Sequence, residues 1–400
     1  MGLSEVDRAF PGAGDVQGSS AAPFGRVLVL VTEDWFALSH FKPLLAELRS
    51  LSREVVVVTR SSGRTGELSA LGVRAIDFDF RRSSLDPLAQ ARTVRDLARV
   101  ISAERPDVVH AIAMQTMVTT CAALQLTPAV PHTVLHLTGL GYLGISATST
   151  ARVLRPIALR LMGMTLRKPG NWLLGENPDD VGFLRAGGAD PGPRVRILGG
   201  AGIDENEFPA LPSPGNPVPV AAFVGRMIRS KGVDVLVEAQ RLLTERGVAL
   251  HVALYGKSDE GSKGGLDRTQ LEKWGRRDGI TWHGHVSDIR DVWTRSDIAV
   301  LPAITREGLP RSLLEAAACA RPLIATDVPG CNHLVRDGID GLIVPPGDAA
   351  ALADALERLA TSPELRQRMG TAARERVLEG FTTVAVRNTI RETYLAMARQ

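Results

Sequence analysis

The sequence predicts two doubly wound α/β domains facing one another across a cleft. Three observations carry this. Short, unpatterned β-branched runs alternate with amphipathic stretches, the pattern of parallel sheets covered on both faces. The alternation is interrupted by GGAGIDENEFPALPSPGNP, a Pro- and Gly-rich stretch that reads as a linker. A chain of 400 residues is also too long for one ordinary core.

The elements follow in order. RVLVLVT (26–32) is the first strand, 41–50 a helix, and EVVVVTR (54–60) the second strand. VRAIDFDF comes next, then a helix over 87–104 and the run PDVVHAI. Past residue 217 the pattern resumes with VPVAAFVG, helix 233–246, ALHVALYG, helix 266–276, ITWHGH and helix 288–295. DIAVLPA, helix 311–319, PLIATD, GLIVPP and helix 348–359 complete it. The division expected is a disordered Gly/Ala/Ser tail over 1–25, an N-terminal domain over 26–205, a linker over 206–217 and a C-terminal domain over 218–380. A last helix over 381–400 is expected to return to the N-terminal domain.

Composition narrows the function. A formal charge of +3 without any Lys/Arg-rich run argues against a nucleic-acid partner. Cys121, Cys319 and Cys331 stand far apart, without metal-ligand spacing, as in a reducing compartment. The N-terminus has no apolar core of a secretory signal, and no stretch reads as a membrane span, so a cytoplasmic location is expected. Charge is nevertheless uneven. No Asp or Glu lies between Asp107 and Glu176, and Arg152, Arg155, Arg160, Arg167 and Lys168 fall in that gap. At helical spacing the arginines gather on one arc of a helix over 152–168, with Val153, Leu154, Ile157, Leu161, Met162 and Met164 opposite. Such a helix suits the anionic inner face of a membrane or an anionic substrate; an ordinary surface helix reads the same way.

Two stretches carry chemistry. In AAFVGRMIRSKGVDVLVEA, Arg226 follows a strand and Lys231 stands at a helix mouth, a good clamp for a diphosphate. It is not a Walker loop, because Gly232 follows the lysine. A solvated basic turn is the bland alternative. In EGLPRSLLEAAACARPLIATDVPG, Gly308 and Leu309 offer backbone N–H groups at a helix mouth. Glu307 and Glu315 stand eight residues apart, about 12 Å along a helix. That is too far for a glycosidase acid/base pair at roughly 5–10 Å. Separate work on one elongated ligand fits better. A dipole-favoured Glu and a surface Glu are the alternative, but Glu315 stands among Leu313, Leu314 and Ala316–Ala318, a poor setting for an idle charge.

The E-G-x-P-x-x-x-x-E stretch, the G-R-x-x-x-x-K-G stretch and the later DGxxGLIVPPGD resemble the retaining glycosyltransferases of family 4, which have the GT-B fold. TGLGY (138–142) and ENPDD (176–180) resemble the bacterial subgroup that acts on polyprenyl-diphosphate-linked acceptors in cell-surface glycan assembly. The likeness covers nearly the whole chain from Arg26. It implies an N-terminal acceptor-binding domain and a C-terminal nucleotide-sugar-binding domain, with UDP as the subgroup's usual nucleotide. It implies that Arg226, Lys231 and the N–H groups of Gly308 and Leu309 bind the donor diphosphate. Glu307 would hold the donor sugar, Glu315 the ribose, and His136 is the candidate for the catalytic-side histidine of some relatives. No metal or other cofactor is expected. The glycine-rich loop usual after the first strand is replaced by TEDWFALSH, and Glu176 stands where Gln is common.

Weaker signals are read structurally. Asp77-Phe-Asp79 mimics a metal-binding DxD but ends a strand before Arg81-Arg82. His283 and His285 alternate on a short strand without a third ligand nearby. Arg311, Trp35 and Phe36 are left open between site and scaffold. The rivals to a transferase are a nucleotide-sugar epimerase, which would want acid/base carboxylates at the sugar carbon, and a non-catalytic nucleotide-sugar-binding subunit, which would show a crippled sugar side.

Overall fold

The computed structural model describes residues 22–400 apart from 82–85, 129, 142–143, 145–147 and 263. Most of the tail expected over 1–25, with Tyr142 of TGLGY and Arg82, lies outside the described residues. Among the described residues there are two parallel sheets. The first holds β1 (Phe24–Glu33), β2 (Ser52–Arg60), β3 (Arg74–Asp77), β4 (Val108–Ile112), β5 (His132–Leu137), β6 (Trp172–Gly175) and β7 (Val195–Ile197). Their order is β3-β2-β1-β4-β5-β6-β7. The second holds β8 (Val220–Val224), β9 (His251–Tyr255), β10 (Ile280–Gly284), β11 (Ile298–Leu301), β12 (Leu323–Thr326) and β13 (Gly341–Val344), in the order β10-β9-β8-β11-β12-β13.

Chemistry explains the layering. Val27, Leu28, Val29, Leu30 and Val31 of β1 are all essentially inaccessible, so the strand is covered on both faces and cannot alternate polar with apolar. Alternate residues feed two separate cores: Val27, Val29 and Val31 one, Leu28 and Leu30 the other. In each sheet the order reverses between two central strands, β1/β4 and β8/β11. That reversal opens a crevice at the carboxyl ends of the strands, where open α/β sheets bind ligands.

Several elements escaped the sequence reading. The helix expected over 41–50 is Lys42–Leu51, and the residues before it form a separate helix, Asp34–His40. β5, β6 and β7, with the helices Met114–Ala123 and Pro178–Ala186, lie in a span without resolved periodicity. β6 and β7, of four and three residues, are too short to show any, and the six-residue β5 is buried along almost its whole length, so it does not alternate.

The helix Thr383–Ala398 crosses back and packs on Lys42–Leu51. Val386, Ile390, Tyr394 and Met397 join the core beneath β1, worth about 2 kcal/mol each by burial. Arg387 and Arg391 both reach the buried carboxylate of Glu47, at 2.9 and 2.7 Å.

The basic helix is Ser149–Leu166, and its orientation differs from expectation. Its buried side is Ala151, Ala158, Leu159, Met162, Thr165 and Leu166. Val153 (64% exposed), Leu154, Ile157 (53%) and Met164 face outward instead. Small residues decide the rotation. Gly163 lies so close to the Gly188 carbonyl that a Cβ there would sit 2.4 Å from its oxygen.

Candidate active site

The C-terminal half of the cleft is built on β8 and β11, the strands flanking the reversal. β8 leads through Arg226 to a single 3₁₀ turn, Arg229–Lys231. Gly232 follows with φ +72°, and a Cβ on it would lie 1.8 Å from the Pro302 carbonyl oxygen. Only glycine lets the two strand-end loops meet there. Their meeting places Lys231 Nζ 2.8 Å from Glu307 Oε2, both side chains less than one-fifth exposed. Glu307 lies in the loop before the helix Arg311–Ala318, whereas Glu315 lies within that helix. The Pro-Gly ending the motif supports the loop from behind. Glu307 N–H donates to the Pro329 carbonyl at 2.9 Å. Gly330 presses against the Glu307 and Gly308 carbonyls too closely for any Cβ.

Lys231, Glu307, Gly308, Leu309 and Glu315 line one cavity of about 390 Å³. Arg226 lines a neighbouring cavity of about 510 Å³, with Tyr255, Lys257 and His285. Val224 and Gly225 border both, so the two cavities form one elongated cleft. Arg226 is two-thirds exposed, and its guanidinium is 3.6 Å from Asp259. Glu315 is buried, and Arg311 Nε donates to its carboxylate at 2.8 Å. Burial pushes this carboxyl up, and Arg311 opposes the shift. Arg311, left open by the sequence, thus partners Glu315, and it also donates to the Ser39 carbonyl across the cleft.

The N-terminal wall rises from the ends of β1, β5 and β6. TEDWFALSH becomes the end of β1 and the helix Asp34–His40. Phe36, His40 and Phe41 line the smaller cavity, while Trp35 is 44% exposed. Burial, helped by Arg311, pulls His40 down to about 4. ENPDD follows β6 and grips the loop that carries Glu307. Asn177 Nδ2 donates to the Gly308 carbonyl at 3.1 Å. Arg306 reaches Asp180 Oδ1 at 2.9 Å, and Asp180 is buried. Leu309 N–H donates to Glu176 Oε2 at 3.0 Å. Gly308 is wedged between domains, since a Cβ on it would lie 2.4 Å from both Glu176 Oε2 and the Thr138 carbonyl oxygen. The Leu309 N–H expected to face phosphate is therefore held by a carboxylate of the other domain.

Sequence reasoning saw ENPDD as a signature and missed it as a clasp. Asp180 and Arg306 stand 126 residues apart, and no local pattern pairs them. Tyr255 carried no signal in the sequence, and His285, read there as structural, lines the larger cavity beside it.

His136 takes a different place from that expected. It is not among the residues lining either cavity. Its ring is buried beneath Phe41, edge-on at 5.6 Å. Its Nδ1 is 3.2 Å from His110 Nε2, and His110 Nδ1 is 2.8 Å from the Tyr394 hydroxyl. Burial pulls His136 down to about 3, so the ring is neutral, and its buried Nε2 has no hydrogen-bond partner among the described residues. Asp77 and Asp79 accept from the N–H groups of Ser61 and Arg81. His283 stacks on Tyr255 at 4.6 Å. Among the described residues no cluster of His, Cys, Asp or Glu is placed to hold a metal. Cys121, Cys319 and Cys331 are buried free thiols.

Comparison with known proteins agrees with this layout. Residues 218–362 match the family described as "Glycosyl transferases group 1" and residues 39–170 the "Glycosyl transferase 4-like domain". A Streptomyces kanamyceticus alpha-D-kanosaminyltransferase is 38% identical over 39% of this chain and 40% of its own length. The putative glycosyltransferase EpsD of Bacillus subtilis is 30% identical over 49% of this chain. The matched stretch thus spans 40% and 54% of these two relatives. A Campylobacter jejuni N,N'-diacetylbacillosaminyl-diphospho-undecaprenol alpha-1,3-N-acetylgalactosaminyltransferase is 23% identical over 86% of this chain and 92% of its length. Anabaena HepE, solved with UDP-glucose, superposes with a TM-score of 0.72 at 17% identity, covering 93% of this chain and 99% of that one. With both domain models matched in order over two facing parallel sheets, the chain belongs to the family 4 glycosyltransferases of the GT-B fold.

Proposed function

We propose that this chain is a retaining glycosyltransferase moving a sugar from a nucleoside-diphosphate donor, with UDP the favoured nucleotide, to a polyprenyl-diphosphate-linked glycan acceptor. The observation that carries the reading is the cleft itself, where Lys231 and Glu307 stand 2.8 Å apart at the strand reversal, under a helix mouth. The larger cavity beside Arg226 has room and an aromatic wall for the nucleoside end. The similarity to the Campylobacter transferase, named for its undecaprenol-linked acceptor, supports the acceptor class.

The chain's own groups do the following work. Lys231 and Arg226 meet the charge developing on the leaving diphosphate, and the helix mouth adds its dipole. Glu307 accepts hydrogen bonds from the sugar hydroxyls. The acceptor oxygen bonds to the anomeric carbon on the face the leaving group vacates. The carbon–phosphate oxygen bond breaks, and the acceptor's proton passes to the leaving phosphate. Because Lys231 is already held in place at the strand reversal and Arg226 stands beside it, activity is expected without a metal.

The outward face of Ser149–Leu166 mixes Val153, Ile157 and Met164 with Arg152, Arg160 and Arg167. That mixture fits peripheral seating on the anionic inner face of a membrane, with the protein otherwise cytoplasmic. Among the described residues no helix is long and apolar enough to cross one. The test is a panel of nucleotide sugars offered with lipid extract, the product's anomeric linkage being read out, with and without EDTA. Retained configuration in EDTA is expected. An inverted product, or an absolute need for added Mg²⁺ or Mn²⁺, would overturn the corresponding part.

A further inference from the structure

Of the two buried acids in ENPDD, Glu176 and Asp180, Glu176 is the one whose charge has no cationic partner among the described residues. Asp180 has Arg306, but Glu176 has a single backbone N–H, that of Leu309 at 3.0 Å. Its side chain is 8% exposed, and it lines the same cavity as Lys231 and Glu307. The charged groups facing it come from every wall. Asp180, in its own turn, repels a second negative charge. On the Glu307 loop, Arg306 is engaged by Asp180 and Glu307 by Lys231. On the helix beyond, Arg311 and Glu315 neutralise one another. His40, from the opposite wall, stays neutral above about 4. The Thr138–Gly139 backbone that completes the wall carries no charge.

One N–H cannot serve two anions. A donor phosphate oxygen that takes the Leu309 N–H must displace the Glu176 carboxylate, and would then lie beside it. We propose that Glu176 gates donor binding through its own proton. Charged, it holds the Leu309 N–H against the diphosphate; protonated, it releases that N–H and offers the phosphate a hydroxyl donor. Burial pushes the Glu176 carboxyl up to about 8, with the Leu309 N–H pulling the other way and the Asp180 charge adding to the rise. The gate therefore opens below that pH and closes above it.

The proposal rests on the nucleoside-diphosphate reading of the cleft, and the measurement separates the two. Binding of UDP, with GDP in parallel, is followed by titration calorimetry from pH 7 to 9 for the native protein and Glu176→Gln. Across this range the native Kd should rise about tenfold relative to that of the variant, whose amide cannot ionise. The ratio cancels titration of the nucleotide itself. Calorimetry in buffers of different ionisation heat adds a readout needing no variant, in which native protein at pH 8 should take up a fraction of a proton on binding UDP. A constant ratio, or binding without proton uptake, overturns the gate while leaving the donor reading intact. Failure of both proteins to bind either nucleotide at any pH overturns the donor reading, and the gate with it.

Discussion

At the scale of the residue, Glu307 and Glu315 differ by more than eight positions. Glu307 lies in a loop pinned by the Pro329 carbonyl and paired with Lys231. Glu315 is buried in a helix and carries its own counter-ion, Arg311. A carboxylate at the diphosphate end can strengthen its hydrogen bonds as the anomeric carbon gains positive character, so Glu307→Gln should mainly lower kcat. A ribose does not change during reaction, so Glu315→Gln should mainly raise the donor KM. Steady-state kinetics of both variants on one donor decides it, and the reverse assignment would show the geometry to be read backwards. Lys231→Ala removes a charge-assisted contact worth about 1.5–3 kcal/mol. Binding of nucleoside diphosphate should weaken roughly 10- to 100-fold by that measure, and monophosphate much less. Equal weakening of both in a calorimetric titration would remove Lys231 from the clamp.

At the scale of the element, the helix Ser149–Leu166 illustrates how a helical pattern misleads. Its apolar residues were legible, and the arc they occupy follows from helical geometry alone. Which arc turns inward was not legible, because the rotation is set by Gly163 meeting the Gly188 backbone, a contact between distant segments. The outcome is an exposed face carrying both cations and large apolar side chains. Neutralising Arg152, Arg160 and Arg167 together should reduce sedimentation with phosphatidylserine-containing vesicles while leaving nucleotide binding unchanged. Each basic residue near such a surface is worth about 1 kcal/mol, so the loss should exceed tenfold. A second variant, Ile157→Ser with Val153→Ser, should weaken the same binding at high salt, where the cations are screened. Unchanged vesicle binding in both would return the helix to an ordinary surface role.

At the scale of the whole molecule, what sequence conveys and what it withholds divide along chain distance. β1, β2 and the strands after residue 217 were legible because a strand buried on both faces is an unbroken apolar run. Arg226, Lys231 and Glu307 at the carboxyl ends of β8 and β11 were legible because each follows its strand in the loop that leaves it. His136 was misplaced for the opposite reason. That it lies under Phe41, tied through His110 to Tyr394 from the far end of the chain, is a long-range fact. So is the clasp between ENPDD and the Glu307 loop. The clasp closes on Gly308, where one domain's backbone enters the other's. Alanine there would put a methyl group 2.4 Å from the Thr138 carbonyl oxygen. That atom belongs to the main chain and cannot swing aside as a side chain could. The strain should be relieved between the domains, because each sheet has its own core and Thr383–Ala398 still holds them together. Gly308→Ala should therefore keep the native thermal unfolding profile, enlarge the radius of gyration in X-ray scattering, and lower kcat/KM at least tenfold. The Glu176–Leu309 contact depends on the same closure, so the variant should also lose the pH dependence of nucleotide affinity. An unchanged scattering profile with full activity would mean that the methyl group is absorbed locally and that closure at Gly308 does not assemble the site.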